Sequence, residues 1–214
     1  MCARNFTAPR QARGISASVT LAVLVLAGVC AAPGPAGAFD GDKTFAKGTV
    51  IFSLEAGGGE QNNIEGHDRI SNLSFVNFTP RLSILPFDPI GPGWLHGALE
   101  TGLEGWFQYY LAPHEATAQG LKAAFRYHFL SVGALVPYVE VTAGVGGSSL
   151  KVMEIRSTLN FVLEGGAGLS YFLSDNLALT VGYRFQHVSN GDTSQPNIGF
   201  EADTGTVGVS YFFH

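Results

Sequence analysis

The feature that most constrains this chain is a two-residue apolar period that recurs from Val50 to Phe213. Val50, Phe52, Leu54 and Ala56 share one parity, and Leu95, Leu99, Leu103 and Phe107 share another row opposite His96, Glu100, Glu104 and Gln108. Leu121, Ala123, Phe125, Tyr127 and Phe129 oppose Lys122, Arg126 and His128; Val139, Val141, Ala143 and Val145 oppose Tyr138, Glu140 and Thr142. Leu159, Phe161, Leu163, Ala167, Leu169 and Tyr171 oppose Asn160, Glu164 and Ser170. Leu177 to Phe185 and Val207 to Phe213 repeat the pattern. Such alternation puts one row of side chains on each face of a β-strand.

The count is about eight strands, each near or above the ~9–11 residues that cross a bilayer. A soluble sandwich or lipocalin would turn the apolar rows inward and the polar rows to water. Here the polar rows hold Glu100, Glu104, Lys122, Arg126, Glu140, Glu164 and Arg184, both signs on neighbouring strands. In a closed eight-stranded barrel these can pair inside while the apolar rows face lipid. Closure also leaves no strand edge unpaired in the membrane. The predicted fold is therefore all-β, an eight-stranded antiparallel transmembrane β-barrel, with a lipocalin-like soluble barrel as the alternative. Ser174-Asp175-Asn176 reads as a tight turn, and the last strand is expected from about Thr204 to Phe213. Between Arg69 and Phe87 the parity is mixed and Pro80 interrupts it, which predicts a bulge or bend.

The first 38 residues differ from the rest. Arg4, Arg10 and Arg13 precede an apolar run from Ile15 to Ala32, and Ala36-Gly37-Ala38 gives a small-residue cleavage signal. This reads as a secretory signal peptide over 1–38, leaving a barrel over 39–214. Both cysteines, Cys2 and Cys30, fall in the leader, so the mature chain has no disulfide and no thiolate chemistry. It keeps nine basic against 17 acidic residues, a formal −8, which disfavours nucleic acid as a partner. The ending Tyr211-Phe212-Phe213-His214 resembles the aromatic close of outer-membrane barrels.

With both ends periplasmic, the seventh strand rises outward, and His187 and Ser189 continue the outward parity of its apolar row near the extracellular end. Two residues along a strand span roughly 6–7 Å on one face, so an imidazole can approach a hydroxyl. A serine nucleophile needs such a base, and the base needs a third group to orient it. Glu201 has the right parity and returns toward the level of His187; Asp203 is its closest rival and Asp192 a weaker one. The Asn190 amide and the N–H groups of Asn190 and Gly191 are candidate oxyanion donors. The bland alternative is a polar strand end near the headgroups, and on spacing alone it stands ahead. His67, Asp68, His114 and Glu115 lack metal-ligand spacing, and Gly57-Gly58-Gly59 lacks the helix and lysine of a phosphate loop.

His187-Val-Ser189-Asn190-Gly191, then Gln195-Pro196-Asn197-x-Gly199, then Glu201, resembles the signature of the lipid A 3-O-deacylase (PagL) family. The resemblance is confined to about Gly182 to Glu201; Ile198 departs from it where proline is expected, which bears on loop shape. It implies that His187 is base, Ser189 nucleophile, Glu201 the orienting acid and Asn190 a positioning residue. It also implies lipid A, or lipopolysaccharide, as substrate, a place in the bacterial outer membrane, and neither metal nor cofactor. A homodimer is left open. The competing functions are a non-catalytic adhesin or envelope stabiliser and an esterase acting on phospholipid.

Overall fold

The computed structural model describes residues 39–214; the expected signal peptide lies outside the described residues. Eight strands follow in order: β1 Val50–Gln61, β2 Ser74–Ile84, β3 Gly97–Ala112, β4 Ala116–Phe129, β5 Leu135–Ser148, β6 Leu159–Ser174, β7 Leu177–Ser189 and β8 Phe200–Phe213. Each pairs antiparallel with the next, and β1 closes on β8 to complete the barrel. Asp175 and Asn176 form the tight turn between β6 and β7. That end also carries Phe39 and His214, the two ends of the described residues, and the connections 85–96 and 130–134, and it is the periplasmic end. The opposite end carries the connections 62–73, 113–115, 149–158 and 190–199.

Burial along the strands decides which solvent the barrel was built for. Leu103 is 60% exposed and Leu121 62%, while the neighbouring Glu104 and Lys122 are only 0% and 1% exposed. A water-soluble barrel would have the reverse, so the apolar rows face lipid. Inside, Arg184 donates to Glu140 Oε1, Glu104 Oε1 and Glu55 Oε2, each at 2.8 Å. Arg126 reaches Glu55 at 2.7 Å and Glu140 at 2.8 Å, and Lys122 reaches Glu104 at 2.6 Å and Glu164 at 2.7 Å. Arg81 joins Glu104 and Glu140. These charges are buried but multiply paired, the condition under which a buried ion survives.

Apolar plugs close both sides of this charged layer. The periplasmic plug gathers Phe45, Ile51, Leu85, Phe172 and Phe212. Phe45 follows the short helix α1 (Gly41–Thr44), which is N-capped by Asp40 through Lys43 N–H. The outer plug contains Phe75, Trp106, Tyr110, Ile155, Val188 and Phe200. A filled interior leaves the outer wall and the loops as the places for chemistry.

Three expectations need correction. β2 runs through Pro80 in constant register against β1; only the bonding to β3 lapses there, because proline has no N–H to give. The Pro80 ring instead lies against Gly105, where a Cβ would sit 3.1 Å from it. The expected bulge is present but lies at Ser74/Phe75, where the register against β3 shifts, and not at Pro80. Leu95 and His96 are not part of β3: Gly93–Leu95 is a 3-10 turn, and His96 ends it. β8 begins at Phe200, four residues before the expected Thr204, and this places Glu201 in the sheet.

Candidate active site

The site forms where β7 and β8 leave the sheet at its outer end. Their register pairs His187 directly with Glu201, and β6 pairs Phe161 with Ser189. Directly opposed side chains on one face lie close enough to interact. His187 Nδ1 is 2.9 Å from Glu201 Oε1. The carboxylate can only accept, so Nδ1 donates, and in the neutral ring Nε2 is the acceptor; among the described residues it has no hydrogen-bond partner. His187 is 40% exposed at its side chain and Glu201 13%, so the base opens outward while its partner is sheltered.

Ser189 follows His187 on the same outward face, half-buried. Among the described residues no hydrogen bond joins its hydroxyl to His187. The structure therefore brings His187 and Glu201 together and leaves Ser189 one strand step away. Asp203 is engaged elsewhere: the Tyr183 hydroxyl donates to its Oδ1 at 2.5 Å. Asp192 lies in the loop with a positive φ of 60°, its Oδ1 accepting from Asn197 Nδ2 at 3.0 Å.

Asn190 behaves differently from a free oxyanion donor. It is wholly buried, and its backbone N–H donates to Asn197 Oδ1 at 2.8 Å. Its Nδ2 donates to the Ser194 carbonyl at 2.8 Å and, less closely, to Ser194 Oγ and the Pro196 carbonyl. Both donor groups are thus spent on shaping residues 190–199. Gly191, at φ 61° against the Phe161 ring, has an N–H with no partner among the described residues. It is the remaining donor of the three anticipated.

Two site features were not anticipated. Gly199 adopts φ 75°, and a Cβ there would meet Val188 O at 3.0 Å and His187 Cε1 at 3.3 Å. Only glycine fits that close approach without strain. Its place in the Gln195-Pro196-Asn197-x-Gly199 run was the available signal. Glu154, in the loop between β5 and β6, is buried and bonded to the first loop. A lone acid between Val152, Met153 and Ile155 was the only hint of it.

Comparison with known proteins follows the same lines. The solved structure of the outer membrane enzyme PagL superposes with a TM-score of 0.52 at 22% identity, covering 74% of this chain and 97% of that one. Neisserial surface protein A (NspA) gives a TM-score of 0.52 at 17% identity, covering 78% of this chain and 100% of its own. Likeness at these identities is likeness of fold, that of outer-membrane barrels. No curated protein matches the chain by sequence. The sequence model of lipid A 3-O-deacylase (PagL) matches residues 87–210, more than half of the chain and every residue of the site just described. By that match, the chain belongs to the lipid A 3-O-deacylase family of the bacterial outer membrane.

Proposed function

We propose that this barrel is a serine esterase that removes the ester-linked 3-hydroxyacyl chain at position 3 of lipid A. The observation that carries the reading is the His187–Glu201 bond on the lipid-facing side, in register with Ser189 and inside the family match. Ser189 Oγ attacks the ester carbonyl as His187 Nε2 takes its proton. Glu201 holds Nδ1–H and balances the imidazolium charge. The tetrahedral oxyanion receives the Gly191 N–H. As the carbon–oxygen bond to the sugar breaks, His187 returns the proton to the departing alkoxide. Water, deprotonated by the same imidazole, then cleaves the acyl-enzyme and frees the 3-hydroxy fatty acid. In this account Asn190 acts by holding the loop that presents Gly191.

The missing Ser189–His187 bond is compatible with this chemistry, since catalytic hydrogen bonds are often long in a substrate-free enzyme. A site on the outer wall also suits a substrate that is itself part of the surrounding leaflet. The test uses purified barrel in detergent, offered lipid A and, separately, a diacyl phospholipid. The expected result is fatty-acid release from lipid A by wild type and its loss, by about 10³-fold or more, in Ser189→Ala. Release from phospholipid instead would favour the phospholipid esterase. Folded wild type inert on both would favour a non-catalytic barrel.

A further inference from the structure

We infer that Glu154 is a positioning residue of this site, a latch that hangs the loop 190–199 and with it His187 from the first and third loops. Its carboxylate is buried in the outer loops, well away from the charged layer of the barrel, and three donors converge on it. Ser71 N–H reaches Oε1 at 2.7 Å, Gln61 Nε2 reaches Oε1 at 2.9 Å, and Ser71 Oγ–H reaches Oε2 at 2.6 Å. A buried carboxylate is retained only where donors replace water in this way. The same residue's main-chain carbonyl accepts from Ile198 N–H at 3.0 Å and Gly199 N–H at 3.3 Å. Ile155 adds a bridge to Asn197 and sinks into the outer plug.

The contacts then run straight to the base. Gly199 lies against the imidazole edge that bears the free nitrogen: its Cβ position is 3.3 Å from His187 Cε1 and 3.7 Å from Nε2. Asn197, bridged to Ile155, receives the Asn190 N–H that shapes the loop beyond Ser189. One side chain therefore ties the first loop to the third, while its own backbone fixes the fourth. Release of the carboxylate frees Glu154 to move, and Gly199 and the imidazole follow. The inference rests on the reading of His187 as the base.

The test compares wild type, Glu154→Ala and Glu154→Gln as refolded full barrels, with kcat and KM on lipid A and the histidine ring NMR signals of His187. Glutamine can still accept from Ser71 N–H and Gln61 while donating to Ser71 Oγ. Glu154→Ala is expected to lower kcat about 10- to 100-fold with little change in KM, the mark of lost orientation. It is also expected to shift the His187 signals, and Glu154→Gln to restore both. Ser71→Ala, a milder cut at the same carboxylate, is expected to give the same pattern at smaller size if Glu154→Ala does not refold. Wild-type kcat and unmoved His187 signals in Glu154→Ala, or no recovery in Glu154→Gln, would overturn the latch. Moved signals in a barrel inert on lipid A would support the latch while sinking the deacylase reading.

Discussion

His187 finds its acidic partner across a strand pair, so the pairing is a product of hairpin register. Glu201 sits opposite it, and Asp203, two residues on, sits opposite Phe185 and takes the Tyr183 hydroxyl. Removing the charge at the two positions should therefore have unequal effects. Glu201→Gln is expected to lower kcat by about 10²-fold or more, since the wrong tautomer is then favoured, whereas Asp203→Asn changes it by less than about tenfold. Steady-state assays on both variants check this, and equal losses would contradict the assignment. The outward parity of His187, Ser189 and Glu201 was legible in the sequence because a period of two is local. The choice between Glu201 and Asp203 was not, because both share that parity and only the register of β7 with β8 separates them. Glu154 was less legible still, since its role arises from three loops meeting.

At the scale of elements, the connection between β7 and β8 does the most to shape the site. Gly199 ends it in a backbone conformation that costs other residues about 1–2 kcal/mol. Gly199→Ala is expected to keep the barrel, judged by heat-modifiable gel mobility, and to lower kcat about tenfold through the pressed imidazole. Unchanged kcat would show that Gly199 does not set the ring. At the other end, His96 Nε2 lies 2.7 Å from Asp42 Oδ1, tying the β2–β3 connection to α1. That hydrogen bond, then the Asp42 charge and the Gly91 carbonyl, hold the imidazole above its ordinary value. Stabilisation from it is complete below the ordinary imidazole range and is lost as pH rises through the raised value. Hydrogen exchange in residues 41–44 should accelerate over that rise, and Asp42→Asn should remove the step. The strands themselves were largely readable from alternation, including β3 to β7. The β2 parity was hard to read because Leu73, just before the strand, and Phe75 belong to the outer plug while Val76 and Phe78 face lipid, so apolar residues stand on both faces there.

As a whole molecule, the barrel keeps its charges inside and its apolar surface outside. Four of the nine basic residues after position 38, Arg81, Lys122, Arg126 and Arg184, are locked in the interior network. Arg184 touches four carboxylates, those of Glu55, Glu104, Glu140 and Glu164. Arg184→Ala would leave them undercompensated and should destabilise the barrel by about 3–5 kcal/mol. Urea unfolding in detergent measures this, and a loss below about 1 kcal/mol would mean that the network is redundant around Arg184. With the interior filled by plugs and ion pairs, the outer wall and the loops are left for a reaction, and on the proposed reading lipid A of the outer leaflet is what they meet. The most direct measurement is mass spectrometry of lipid A from cells expressing wild type or Ser189→Ala, with folding of both checked by gel mobility. The account predicts lipid A lighter by one 3-hydroxyacyl chain with wild type and intact lipid A with the variant. Intact lipid A from cells holding folded wild-type barrel, or equal loss of the chain with both proteins, would contradict it.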